Sequence, residues 1–167
     1  MKRKPIWIAY ILLLLLMAGC AKTYHGTDAL LEKAREELPM ADAENIELQY
    51  AGLCGRDEDS LIWFISGNEY QHHTYLPMEC VVVGKDAYTF TRTCKPLERG
   101  EDIAVLQWKG GYSFLVNNPA CKSIQITDES GKVTEIVIEK DVYPYLYYHS
   151  VIPKEYLFLD AEGKELA

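Results

Sequence analysis

Positive charge is scarce in this chain. It has 17 lysines and arginines against 25 aspartates and glutamates, a formal net charge of -8, and three of those cations stand together at Lys2, Arg3 and Lys4. Beyond them no basic run exists to neutralise phosphates, which makes nucleic acid a poor partner. Long apolar runs are also scarce. The single one, Ile6 to Ala18, has thirteen residues, short of the roughly twenty that a membrane-crossing helix needs, so no permanent transmembrane span is expected. The chain lacks Cys-x-x-Cys and a helical His-Glu-x-x-His, so no metal site is expected. It also lacks Gly-x-Ser-x-Gly, a Ser-x-x-Lys with its partner motifs, and a glycine-rich phosphate loop, which removes the common signatures of nucleophilic catalysis and nucleotide cofactors. No Ser-, Thr-, Gly- or Pro-rich linker separates one part from another.

What is present begins at the first residue. Lys2 to Lys4, the apolar run and the small residues before Cys20 have the three-part layout of a secretory signal. The ending Leu16-Met17-Ala18-Gly19-Cys20 resembles the lipobox of bacterial lipoproteins, with Met17 where leucine is usual. That resemblance implies a signal peptide over 1–19, cleavage before Cys20, and a diacylglyceryl group on the Cys20 thiol, with acylation of the new amino terminus as a second hold. Two or more chains anchor stably where one is marginal. Without the resemblance, the stretch reads as an ordinary cleaved signal followed by a chance cysteine.

Loss of the signal would leave 148 residues, 20–167, and move the formal charge to -11. That length suits one domain with one core. Anionic headgroups repel such a domain, so it is expected to be held at the membrane by its anchor rather than lie flat on it. The tether is expected to be 20–26, with Ala21 to Gly26 reaching about 20 Å when extended. The remainder, 27–167, reads as one β-rich extracytoplasmic domain.

Thr27 is the expected N-cap of an amphipathic helix. Leu30, Leu31, Ala34 and Leu38 form its apolar stripe and Pro39 ends it. The stripe packs on the domain or docks on a partner. From Asn45 the pattern changes to period two, with strands expected at Ile46 to Tyr50 and Leu61 to Ile65. Three hairpins follow: Cys80 to Val83 with Ala87 to Thr93, Ile103 to Trp108 with Tyr112 to Val116, and Ser123 to Thr127 with Lys132 to Glu139. Tyr143 to Tyr148 and Glu155 to Leu159 add two strands, with Pro144 and Pro153 at edges or turns. The fold class is therefore mainly β: an antiparallel β-sandwich or partly open barrel with one N-terminal amphipathic helix.

The segment Asn117 to Leu166, with its turn Asp160-Ala161-Glu162-Gly163-Lys164, resembles the immunoglobulin-like modules of Gram-positive envelope lipoproteins. The resemblance implies adhesion or interaction rather than a reaction.

Cys54, Cys80, Cys94 and Cys121 remain after Cys20. Two disulfides are one expectation outside the cytoplasm. If Val83 opposes Ala87, Cys80 opposes Phe90 and lies roughly 13 Å from Cys94, beyond disulfide reach. That leaves Cys54–Cys94 with Cys80–Cys121, or Cys54–Cys80 with Cys94–Cys121. Four buried free thiols are the alternative. His72 and His73, near Glu79 and Cys80, point to opposite faces if extended and read as a solvated loop. A thiol dyad of Cys80 with His72 or His149, and the acidic pairs Asp57 with Asp59 and Glu98 with Glu101, are the catalytic candidates.

Aromatic residues are in surplus. Tyr143, Tyr145 and Tyr147 share one face of a strand, and Trp108 and Tyr112 flank Gly110-Gly111. Exposed, these five make a ligand-binding face for sugar rings or a protein; buried, they are core. The functional expectation is a membrane-anchored extracytoplasmic lipoprotein, a binding or accessory module whose partners are membrane lipid through Cys20 and another envelope protein. The alternative is an envelope enzyme acting on cell-wall material.

Overall fold

The computed structural model describes residues 22–38, 45–67, 73–100, 102–139 and 142–166. The signal peptide, Cys20, Pro39, His72 and Glu101 lie outside these residues. The chain forms a short strand β1 (Thr23–His25), one helix α1 (Gly26–Glu37), and then β2 (Leu48–Arg56), β3 (Asp59–Ser66), β4 (Thr74–Gly84), β5 (Ala87–Thr93) and β6 (Leu97–Gly100). It continues through β7 (Ile103–Trp108), β8 (Gly111–Val116), β9 (Ser123–Thr127), β10 (Val133–Val137), β11 (Tyr145–His149), β12 (Glu155–Leu159) and β13 (Glu165–Leu166). Three antiparallel sheets result, with strand orders β1-β5-β4-β3-β2, β11-β8-β7-β6 and β10-β9-β12-β13. None of them closes into a barrel, so the sandwich is the form adopted.

The sheets are stacked, and alternation along the strands shows how. Odd and even residues of β3 face different clusters: Ile62 and Phe64 join Leu30, Ala34 and Met78, while Leu61, Trp63 and Ile65 join Leu106, Trp108 and Leu115. A strand buried on both faces reads as a continuous apolar run, which is what Leu61 to Ile65 is. The second sheet divides the same way. Ala104, Leu106 and Leu115 face the first sheet; Ile103, Val105, Phe114 and Val116 face Ile124, Ile126 and Phe158 of the third. From one side to the other the layers are helix, first sheet, second sheet, third sheet, with an apolar cluster at each junction.

The helix stripe is core. Leu30 and Ala34 are fully buried and Leu38 nearly so, with Leu31 packed alongside. The helix begins two residues earlier than its sequence suggests: His25 occupies the N-cap position, with no side-chain cap bond, and Thr27 is already helical. The reason is β1, whose three residues pair with β5 and deliver the chain straight into the first turn. This also shortens the expected tether. Only Ala21 and Lys22 separate Cys20 from paired backbone, about 7 Å of extended chain instead of about 20 Å.

All three expected hairpins form, β4–β5, β7–β8 and β9–β10. Ala87 pairs with Gly84 rather than with Val83; a bulge between Val82 and Gly84 absorbs the offset, so that Cys80 still opposes Phe90, and a second bulge follows between Glu79 and Cys80. The β7–β8 turn is Lys109-Gly110 rather than Gly110-Gly111, because Trp108 pairs with Gly111. Both turn residues have positive φ, 45° and 76°, the requirement of a type I′ turn whose twist suits a hairpin. Gly111 is needed for a different reason: a Cβ there would sit 2.1 Å from the His149 carbonyl oxygen, so β11 can lie against β8 only over a bare backbone.

The turns after β9 and β12 are built alike. Asp128 Oδ1 accepts from the Ser130 and Lys132 amides, and Asp160 Oδ1 accepts from the Glu162 and Lys164 amides. In each, a glycine of positive φ, Gly131 or Gly163, closes the loop. These are Asx-type turns, which use the short carboxylate in place of a backbone acceptor.

The four cysteines are free thiols, and neither expected pairing is made. Their places explain it. Cys80 is in the helix-side cluster, Cys54 and Cys94 border the cluster between first and second sheets, and Cys121 is in the third. Cys54 and Cys94 share a layer but not neighbouring strands, since β3 and β4 lie between β2 and β5. At about 4.8 Å per strand that gap exceeds disulfide reach.

Candidate functional site

Two of the expected site elements are drawn into the core. Trp108 is 3% exposed and meets Tyr148 edge-on with ring centroids 5.4 Å apart, between the first and second sheets. Tyr112, Tyr143, Tyr145 and Tyr147 pack half-buried on the other side of the second sheet. Tyr147 stacks on Phe114 at 6.4 Å, Tyr112 meets Tyr156 at 5.6 Å, and the Tyr143 hydroxyl donates to the Cys121 carbonyl. The five therefore do not make one exposed face. The tyrosines wall one interlayer and Trp108 belongs to another, because alternation along β7 sends Trp108 with Ala104 and Leu106 to the side opposite Ile103, Val105 and the tyrosines.

The catalytic candidates are also dispersed. Cys80 faces the helix-side cluster, and burial pushes its thiol up to about 12, the wrong direction for a nucleophile. His149 stacks beside Tyr147 on β11, so no dyad with Cys80 is assembled. Glu79 points to the opposite face of β4 from Cys80. Asp59 bonds Lys109, while Asp57 lies at the β2–β3 turn with a φ of 57°. Among the described residues no group of three or more His, Cys, Asp and Glu side chains converges as a metal site.

His73 is placed rather than solvated. Its Nδ1 is 2.8 Å from Asp102 Oδ1, which also accepts from the Tyr75 hydroxyl at 2.9 Å. Burial, with the bond to Asp102, pushes the Tyr75 phenol far up, so it stays a donor at any ordinary pH. Asp102 thereby fixes the orientation of the His73 ring. No serine, threonine or cysteine side chain is bonded to His73 among the described residues.

The structure brings a different set together, where β5 ends and the β7–β8 turn approaches it. Glu79, 5% exposed, lies behind this point. Arg92 Nε donates to its Oε2 at 2.8 Å, and Lys109 Nζ reaches its Oε1 at 3.1 Å and Asp59 Oδ2 at 3.0 Å. Burial acts against the Glu79 charge, but the bonds from Arg92 and Lys109 outweigh it and hold the carboxyl below its ordinary range. In front of the pair opens a recess of about 340 Å³ lined by Arg92, Cys94, Lys95, Gln107, Trp108 and Lys109, with Thr93 and Leu106. A longer groove of about 710 Å³ shares Thr93, Cys94 and Lys95 with it and runs past Tyr75 and Leu76 to the exposed edge strand β6.

Sequence reasoning passed over Arg92, Lys95 and Lys109. They come from β5, from the connection to β6, and from the β7–β8 turn, and only the stacking of two sheets makes them neighbours. The one local signal was Lys109 at a positive-φ turn position where asparagine or aspartate is preferred. No family model, curated protein or solved structure matches this chain.

Proposed function

We propose that this protein is a lipid-anchored, extracytoplasmic binding or accessory module working close against the outer face of the cell membrane. The observation that carries the reading is the order of residues from Lys2 to Cys20: basic start, thirteen-residue apolar run, and Leu16-Met17-Ala18-Gly19-Cys20. The paired backbone from Thr23 supports it, since an anchor at Cys20 would hold a stacked β domain within about 7 Å of the lipid surface. The partner is then another envelope component reached from that surface.

The test is metabolic labelling with an alkyne fatty acid, followed by membrane fractionation, for the wild type and Cys20→Ala. The expected result is label and membrane retention in the wild type and loss of both in the variant. An unlabelled wild type found in the soluble fraction would refute the anchor. Crosslinking the anchored protein in its cells, with Cys20→Ala as control, then identifies the partner.

The second reading, an envelope enzyme acting on cell-wall material, finds support in the His73–Asp102 couple beside the groove at Tyr75 rather than in Cys80. Hydrolysis of purified wall fragments that His73→Gln abolishes, with the fold retained, would favour it.

A further inference from the structure

The recess in front of Glu79 runs against the character of the whole chain. Acidic residues outnumber basic ones 25 to 17, yet the lining of this recess contains three cations and no carboxylate. Arg92 and Lys109 are steadied from behind by Glu79 and Asp59, while Lys95 has no ion pair among the described residues. The remaining polar lining supplies donors as well: the Gln107 amide, the Cys94 thiol and the Thr93 hydroxyl.

Trp108 also lines the recess, with its ring packed into the cluster between the first and second sheets. Its Nε1 is the one buried side-chain nitrogen or oxygen without a hydrogen-bond partner among the described residues, in a side chain only 3% exposed that lines the recess. A buried N–H left unpaired costs about 1–3 kcal/mol, so such groups are rare unless something else supplies the acceptor. Trp63, the neighbouring buried indole, does have its acceptor in Ser113 Oγ at 2.9 Å.

From these observations we infer that the recess is a binding site for a phosphoryl group. The lining offers donors and positive charge and asks for an anionic acceptor. A carboxylate has two oxygens and is served by one forked arginine; Arg92 gives its Nε to Glu79 and keeps its two Nη groups, so a carboxylate would occupy those and leave Lys95 and Lys109 without an acceptor. A phosphoryl group carries three or more acceptor oxygens and matches cations arriving from three separate places. The volume, at the small end of ligand sites, admits the group with a short polar body such as glycerol. The phosphoryl group would come from a soluble glycerol phosphate or from a phospholipid headgroup. The inference stands on the recess and does not require the anchor.

The test uses the full chain in detergent micelles, with indole nitrogens labelled and the Trp108 signal assigned by Trp108→Phe. Inorganic phosphate, glycerol 1-phosphate and acetate are titrated separately, and the protein is also mixed with phosphatidylglycerol or phosphatidylcholine vesicles. The expected result is a saturable shift of the Trp108 indole N–H with a phosphate probe, a steady Trp63 signal, no response to acetate, and binding weakened about tenfold or more in Lys95→Gln, the scale of one charged hydrogen bond. Lys95 is exposed and unpaired among the described residues, so this variant keeps the Glu79 ion pairs and the fold. Response to soluble phosphates alone identifies a soluble ligand, and response to phosphatidylglycerol alone a lipid headgroup; either supports the site. No saturable shift with any phosphate probe, an equal response to acetate, or unchanged binding in Lys95→Gln would overturn it.

Discussion

Replacing Ser113 by alanine removes one oxygen from a place where nothing else takes over. Ser113 and Trp63 are both fully buried, and the Trp63 Nε1 proton goes to Ser113 Oγ at 2.9 Å across the junction of the first and second sheets. The Cys54 sulfur is 3.6 Å from the same hydroxyl and is at most a weak partner. In Ser113→Ala the indole N–H stays buried without an acceptor, which costs about 1–3 kcal/mol. For a chain of this size, about 2 kcal/mol lowers the melting temperature by roughly 4–8 °C. Circular dichroism melts of wild type, Ser113→Ala, Trp63→Phe and the double variant form a cycle that separates the bond from the loss of ring volume. The coupling energy is expected to be about 1 kcal/mol or more. A Ser113→Ala protein melting within about 1 °C of the wild type would refute the claim that this hydroxyl is what satisfies Trp63.

Other consequences are equally open to measurement. Glu79 has a folded carboxyl held below its ordinary value of 4.5, so its stabilisation is complete above that value and fades as pH falls through the lower folded one. Urea midpoints against pH should therefore show a steeper acid limb in the wild type than in Glu79→Gln; identical limbs would remove Glu79 from the account. Gly111→Ala drives a methyl into the His149 carbonyl and should cost about 3 kcal/mol or more, read as a lost or greatly lowered melting transition. In thiol alkylation of the native protein, half-buried Cys54 and Cys94 should react before Cys80 and Cys121, which are buried and pushed up to about 12 and about 11. Peptide mass spectrometry gives the order, and early labelling of Cys80 would contradict its place under the helix.

The parts of this fold that could be read from the residues are those where turn chemistry and alternation coincide. Asp128 to Gly131 marks its hairpin, and Gly110-Gly111 reveals the β7–β8 hairpin while placing its turn one residue too late. The early half of β4 was hidden by Pro77, which a central strand normally excludes. It is tolerated because its carbonyl accepts from the Cys94 amide, placing the missing N–H where β5 has just ended. Strand β6 has no alternation to detect in Leu97-Glu98-Arg99-Gly100, and β1 is too short to register as a pattern. The stacking of three sheets was also not foreseen, and with it went the positions of Trp108 and the tyrosines. Whether an aromatic row is surface or core depends on what lies over it, which local spacing does not contain. The same limit hid the cationic recess, since its residues converge only through contact between separate sheets.

Burial of the second sheet on both sides changes what keeps its strands aligned. In a sheet with one wet face, slipping a strand by one residue throws apolar groups into water, and that penalty fixes the alignment. Here β7 and β8 would find an apolar layer on either side, so water exclusion discriminates weakly between one alignment and the next. Shape must supply the difference, with Phe114 and Val116 fitted to one gap and the small Ser113 to the other. So must the two-residue loop at Lys109-Gly110, which closes only when Trp108 stands opposite Gly111. That loop is thus the fidelity element of the hairpin: lengthening it would first yield molecules with intact strands in mixed alignment, before any loss of strand content.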